Sequence, residues 1–121
     1  MLLSLTSCLF ATVPIHAFYT HNTAYHHIFL LVTVLSILFH ATQHAVIKKI
    51  DTAVAHMAFS FMLWESYVAA LAKQAWLLGF PVAVAALWLL QRPFPAQRNR
   101  LHAGLHCVSL IGLHSFLVWK Q

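Results

Sequence analysis

Ten histidines in a chain of 121 residues that has only two acidic side chains are the residues best able to do chemistry. His102 and His106 are four apart, so on a helix both imidazoles project from one face. His40 follows Ser36 by the same spacing, and Asp51 comes eleven residues after His40. Three neutral imidazoles can fill three positions of a tetrahedral zinc ion and leave the fourth for water, as in catalytic sites. His102 and His106, together with a third imidazole from another segment such as His40, are therefore candidate metal ligands.

A carboxylate and a hydroxyl accompany these histidines. Asp51 beside a metal could orient a ligand or take a proton from bound water, whose pKa zinc lowers to about 7. Ser36 could donate a hydrogen bond to a developing oxyanion or to Asp51, or it could bond back to its own helix. This chemistry favours hydrolysis, with Asp51 and Ser36 as the candidate catalytic residues.

The composition indicates what must carry these residues. Hydrophobic residues make up 61% of the chain, and Asp51 and Glu65 are its only acids, so a water-soluble globule could not hide the apolar surface. Five of the seven basic residues fall in two short stretches rather than along one exposed face, which argues against nucleic-acid binding. The sequence predicts an integral membrane protein, and it predicts that Cys8 and Cys107 are buried as small apolar residues.

Five apolar stretches are visible in windows of about 20 residues, the length of a transmembrane helix. They cover roughly 2–19, 25–46, 51–72, 75–91 and 101–119. The predicted fold is all-α, a polytopic transmembrane bundle of about five helices in one membrane domain, 1–121. No basic residue precedes the first apolar run, so we expect that run to be a retained span rather than a signal peptide.

Loop charges predict the orientation. Threading the spans back and forth places the basic residues of two loops on one side, which the positive-inside rule makes cytoplasmic: Lys48, Lys49, Arg92, Arg98 and Arg100. The N-terminus is then cytoplasmic and the C-terminus lies on the opposite side. The candidate ligands fall toward the cytoplasmic end.

The sequence predicts the roles of the remaining polar groups less specifically. His44 and His56 near the candidate site are either satisfied structural histidines or extra proton carriers. Headgroups and water are expected to satisfy five histidines at or near the outer ends of the spans: His16, His21, His26, His27 and His114. Glu65, inside the third span, is a functional candidate with no evident partner.

The stretch Ser36-Ile-Leu-Phe-His40, then Asp51, then His102-Ala-Gly-Leu-His106 in the last span, resembles the CREST superfamily of membrane metalloproteins. That group includes the alkaline ceramidases, the adiponectin and progestin receptor family and the Per1-like proteins. The resemblance covers about 70 residues in two blocks. It implies that His40, His102 and His106 bind zinc, that Ser36 and Asp51 support or handle protons, and that a lipid amide or ester is hydrolysed at the cytoplasmic membrane face.

The chain departs from that family in length. The family has seven spans, whereas this sequence has room for about five, so two helices before the last are missing and the chain is a shortened version. A second copy of the chain could supply the missing walls, as a homo-oligomer. The ceramidases' acidic calcium cluster has no counterpart here, so neither calcium nor ceramide specificity is expected.

Two alternatives of other classes remain open. One is a haem- or metal-binding electron-transfer protein in which histidines from two helices hold the iron. The other is a non-catalytic subunit of a membrane complex, with histidines acting as interhelical hydrogen-bond groups. A membrane lipid is the expected partner in the hydrolase interpretation, with a lipid-like substrate and no nucleic acid.

Overall fold

The computed structural model describes residues 2–121, and this part of the chain is built of helices without a strand. Six α-helices follow one another: α1 Leu2–Leu9, α2 Thr12–Tyr19, α3 Thr23–Thr42, α4 Ala45–Leu71, α5 Gly79–Leu90 and α6 Arg98–Trp119. Short 3₁₀ turns, Ala75–Leu78 and Pro95–Gln97, precede α5 and α6. The all-α prediction is confirmed.

Four segments are long and apolar enough to cross a membrane: Leu2–Tyr19, Thr23–Thr42, Ala45–Leu71 and Pro95–Trp119. The fifth, Ala75–Leu90, is apolar but shorter. Many large apolar side chains face outward, among them Leu5, Phe18 and Leu71 with 60%, 64% and 69% of their surface exposed. An apolar exterior of this kind matches a bilayer rather than water.

The first span is broken between α1 and α2. Pro14 has no backbone N–H, and its ring conflicts with the carbonyl four residues earlier, at Phe10, which disfavours a straight continuous helix through this point. The hydroxyl of Thr12 donates instead to the carbonyl of Leu9, at 2.8 Å. The two short helices therefore lie end to end as one membrane-length segment.

The link between α3 and α4 differs from the sequence prediction. α3 ends at Thr42 rather than at 46, because Gln43 takes a left-handed backbone conformation, with φ of 54°. His44 is extended, and its ring Nδ1 accepts from the backbone N–H of Val46, at 3.3 Å. This cap starts α4 at Ala45 rather than at 51, so Asp51 lies almost two turns inside the helix instead of opening it. The last span likewise begins at Pro95, before the expected residue 101.

The N-terminal segment lies against two later helices. α1 and α2 both pack on α3 and α6, while α4 packs on α3 and α5 packs on α6. Their common core contains Val13, Tyr25, Phe29, Leu113 and Phe116. Basic side chains from the start of α4, the start of α6 and the link between α5 and α6 gather at one end of this bundle. We call it the basic end and define it by Lys48, Lys49, Arg92, Arg98 and Arg100.

Cys8 and Cys107 are exposed, against the prediction that they are buried. A bundle of this size has few interior positions, and both thiols lie on outward faces of α1 and α6. In a membrane, lipid covers such faces, so apolar surroundings in the sequence do not require burial in protein.

Candidate metal centre

Three imidazoles meet near the basic end of the bundle. His40 lies in the last turn of α3, and His102 and His106 lie one turn apart near the start of α6. One ring nitrogen from each lies within 4.8 Å of the other two. Two nitrogens on one tetrahedral zinc ion are about 3.4 Å apart, so the three rings would have to move closer together to bind one ion. The residues present could hold a metal.

The ring arrangement leaves the cluster open on one side. The centroids of His40 and His102 are 5.9 Å apart, and those of His40 and His106 are 6.0 Å apart. His106 is buried, with 7% of its surface exposed, whereas His40 and His102 are half-buried. The cluster therefore borders a space rather than being enclosed by protein.

Thr6 holds the third imidazole from the N-terminal helix. Its Oγ1 lies 2.9 Å from Nδ1 of His106, and both residues are buried. The Thr6 hydroxyl also donates to the carbonyl of Leu3, at 3.1 Å. Because the Thr6 proton is donated to Leu3, Thr6 accepts the N–H at Nδ1 of His106. In that tautomer Nε2 of His106 is unprotonated and free to bind a metal. Sequence reasoning missed Thr6.

Ser36 is buried beside another hydroxyl that sequence reasoning missed. Its Oγ lies 2.9 Å from Oγ of Ser7, and Ser7 donates to the carbonyl of Leu3 at 2.8 Å. The hydroxyl proton of Ser36 therefore points to Ser7. This is neither the bond to Asp51 nor the back-bond to its own helix that the sequence suggested.

Asp51 shares a cavity with the histidines but stands outside their cluster. The cavity has a volume of about 980 Å³ and is lined by Ser36, His40, Asp51, His102 and His106 among others. No hydrogen bond or ion pair to the Asp51 carboxylate occurs within residues 2–121, and the side chain is half-buried. Its carboxylate is thus free to act on a molecule in the cavity.

The cavity changes character along its depth. Five apolar residues from four helices line its deeper part: Phe29, Val32, Met62, Val84 and Leu113. Its polar walls lie toward the basic end and include Gln43, Lys48, Arg98 and Asn99. An amphipathic molecule fits such a space better than a fully polar one.

His44 and His56 both have local partners. His44 caps α4, as described above. The ring of His56 donates from Nδ1 to the carbonyl of Thr52, at 2.7 Å, and meets the Trp88 ring edge-on, with centroids 6.3 Å apart. His44 thus has a structural role, whereas His56 bonds within its own helix and also borders the cavity.

At the opposite end, His16 and His114 are satisfied by protein groups. Nδ1 of His16 lies 2.8 Å from Nδ1 of His114. The far nitrogen of His114 lies 2.9 Å from the hydroxyl of Thr12, whose proton goes to Leu9, and the far nitrogen of His16 lies 3.2 Å from the side-chain amide of Gln121. The prediction that water and headgroups satisfy these two imidazoles missed this pairing, because their partners are distant in sequence.

Glu65 also has partners that the sequence did not reveal. Its carboxylate lies 2.7 Å from Nζ of Lys120 and accepts a hydrogen bond from the hydroxyl of Tyr25, at 3.2 Å. The acid is buried, while Lys120 is partly exposed. These contacts tie α3, α4 and α6 together at the end away from the metal centre.

Comparison of the chain with known protein families, with curated proteins and with solved structures gave no match. A functional assignment therefore depends on the geometry of the residues themselves.

Proposed function

We propose that this protein is a zinc-dependent membrane hydrolase that cleaves a lipid amide or ester at the cytoplasmic face. The observation that carries the proposal is the convergence of His40, His102 and His106 within 4.8 Å on the wall of a large, mainly apolar cavity. Three protein ligands with an open side are typical of catalytic rather than structural zinc sites.

The roles follow from what each group can reach. His40, His102 and His106 would hold the ion, which when bound would supply a Lewis acid and lower the pKa of a water ligand. Asp51, with no partner within residues 2–121, can accept a proton in the same cavity and return it to the leaving group. Thr6 would hold the ring of His106 in place, and Ser36 would hold the hydroxyl of Ser7.

The cavity supports a lipid as the substrate. Its deep walls are apolar and its polar groups lie toward the basic end, so an acyl chain would occupy the deep part, with the bond to be cleaved beside the histidines. The positive-inside rule would place this end at the cytoplasmic face. The motif pattern supports membership of the CREST superfamily, and the loop charges would place the N-terminus on the cytoplasmic side.

The direct test is the metal content of the detergent-purified protein. We expect about one zinc per chain, and we expect His40→Ala, His102→Ala and His106→Ala each to lose it while still inserting and folding. His114→Ala is the matched control, because it removes an imidazole from the same helix α6 outside the cluster. Retention of stoichiometric metal by all three ligand variants would refute the site.

The hydrolytic step needs a second measurement. Zinc-loaded protein should release fatty acid from a mixed panel of lipid amides and esters, and a chelator should stop the release. Metal binding without turnover on any of these lipids would favour the non-catalytic subunit instead. A Soret absorption band in the purified protein would favour the haem alternative.

A further inference from the structure

A second cavity lies beside the first at the basic end, between the end of α5 and the start of α6. It has a volume of about 490 Å³ and is lined by Trp88, Gln91, Arg92, Pro95 and Arg98. Both arginines contribute to it, and no acidic residue does. Its walls are thus cationic and aromatic, in contrast to the mainly apolar walls of the larger cavity.

The two guanidinium groups have no carboxylate counter-ion. Within residues 2–121 the one ion pair is Glu65–Lys120, at the far end of the bundle. Arg92 is held in place by the Trp88 ring, since its guanidinium carbon lies 4.8 Å from the ring centroid. A cation stacked on an aromatic face has a defined position while its N–H donors remain available.

Gln91 lines both this cavity and the larger one. Its amide nitrogen Nε2 is buried and has no hydrogen-bond partner, the only such side-chain atom in the described part of the chain. A buried donor left without a partner is costly. The start of α6 also has no side-chain cap, so the positive end of a 22-residue helix lies next to Arg98.

We infer that this cavity binds a phosphate-type anion. Two guanidinium forks without a carboxylate partner match the several acceptor oxygens of a phosphate group, which arginine binds through paired hydrogen bonds. The anion could be the headgroup of a membrane phospholipid or free phosphate. The location favours a lipid, because the site lies at the membrane end of two apolar helices, and the neighbouring Leu89 and Phe94 are 52% and 51% exposed. Trp88, Gln91 and Arg98 line the larger cavity as well, so the two spaces adjoin, but none of these residues is a candidate metal ligand.

The test compares lipid binding by the full chain in detergent, measured by native mass spectrometry. We expect more bound phosphatidylglycerol than phosphatidylcholine. Arg92→Gln and Arg98→Gln should each reduce bound phosphatidylglycerol about tenfold or more, because a hydrogen bond to a charged group is lost. Gln91→Leu should reduce it less. Arg92→Lys and Arg98→Lys, which keep the charge but not the fork, should lose part of the binding.

Arg100→Gln is the matched control, since Arg100 is an exposed arginine on α6 that lines neither cavity. Equal losses in Arg100→Gln and Arg98→Gln would mean diffuse attraction to surface charge and would overturn the site. Equal binding of the two lipids by the unmodified protein, with no binding of inorganic phosphate, would overturn it as well.

A second arm identifies the source of the anion. Millimolar inorganic phosphate should leave phosphatidylglycerol bound if the lipid is the ligand. If inorganic phosphate displaces the lipid, and binds with the same sensitivity to Arg92→Gln, the site takes free phosphate. Thermal unfolding of each variant separates loss of binding from loss of the fold. If a glutamine variant does not fold, the corresponding lysine variant replaces it in the comparison.

Discussion

The hydroxyl of Thr6 lies 2.9 Å from Nδ1 of His106, across 100 positions of sequence. Through this contact the first helix determines which nitrogen of a candidate ligand is free to bind a metal, because the Thr6 proton is already donated to Leu3. α1 carries no candidate ligand, yet it positions one of them. Such outer partners of metal-bound histidines raise affinity by holding the ring and its tautomer.

Replacing Thr6 with valine should weaken zinc binding about 10- to 100-fold, the effect usual for losing such a partner. Valine keeps the shape of the side chain but cannot accept the N–H of His106. Thr6→Ser should restore most of the affinity, as measured by zinc titration against a competing chelator. Thr12→Val is the control, since Thr12 makes the same kind of contact with His114, away from the centre. Equal affinity in Thr6→Val and the unmodified protein would contradict this role.

Replacing Asp51 with asparagine should separate metal binding from turnover. The carboxylate lines the cavity but lies outside the three-histidine cluster, so zinc content should remain near one per chain. Hydrolysis should fall about 10²- to 10⁴-fold, the usual contribution of a general base. Zinc content and fatty-acid release are measured on the same preparation. Full activity in the variant would exclude Asp51 as the base.

Replacing Gly112 with alanine should destabilise the packing of α5 on α6. A Cβ at this position would lie 2.8 Å from Cβ of Phe80, so α5 would have to move. We expect a loss of about 1–3 kcal/mol in the free energy of unfolding, as for other overpacked sites.

Gly104→Ala is the matched control for that change, because its Cβ would meet only Leu87, at 3.9 Å. Any gain in helix propensity is shared by both variants, so their difference in unfolding midpoint in detergent isolates the contact with Phe80. Similar midpoints would mean that α5 and α6 pack less closely than described.

Replacing Lys120 with alanine should cost about 1–3 kcal/mol of folding stability, because it leaves the buried carboxylate of Glu65 with only the Tyr25 hydroxyl. The partial exposure of Lys120 keeps the cost below that of a fully buried pair. Glu65→Gln should cost less, since no buried charge is left unpaired. Chemical unfolding in detergent, with Lys73→Ala as the control, measures both. A larger loss in Glu65→Gln would show that Lys120 contributes little.

The sequence alone determined the class of fold and the ligand set of the candidate centre. Hydropathy and helical periodicity are local properties, so they identify apolar helices and place His102 and His106 on one face of α6. The predicted topology and the family resemblance carried by Ser36, His40 and Asp51 indicated which segments should meet that face. The helix ends were less predictable, since the left-handed Gln43 and the His44 cap decide where α4 begins.

Only the tertiary structure decided which groups surround the ligands. The Ser7–Ser36 contact joins residues 29 apart, and the Thr6–His106 contact joins residues 100 apart. The Lys120–Glu65 pair and the unpartnered amide of Gln91 were likewise visible only in the folded structure. A hydroxyl or an amide has no periodic signal of its own, and its partner is chosen by how whole helices pack, so a pattern along one chain cannot reveal it.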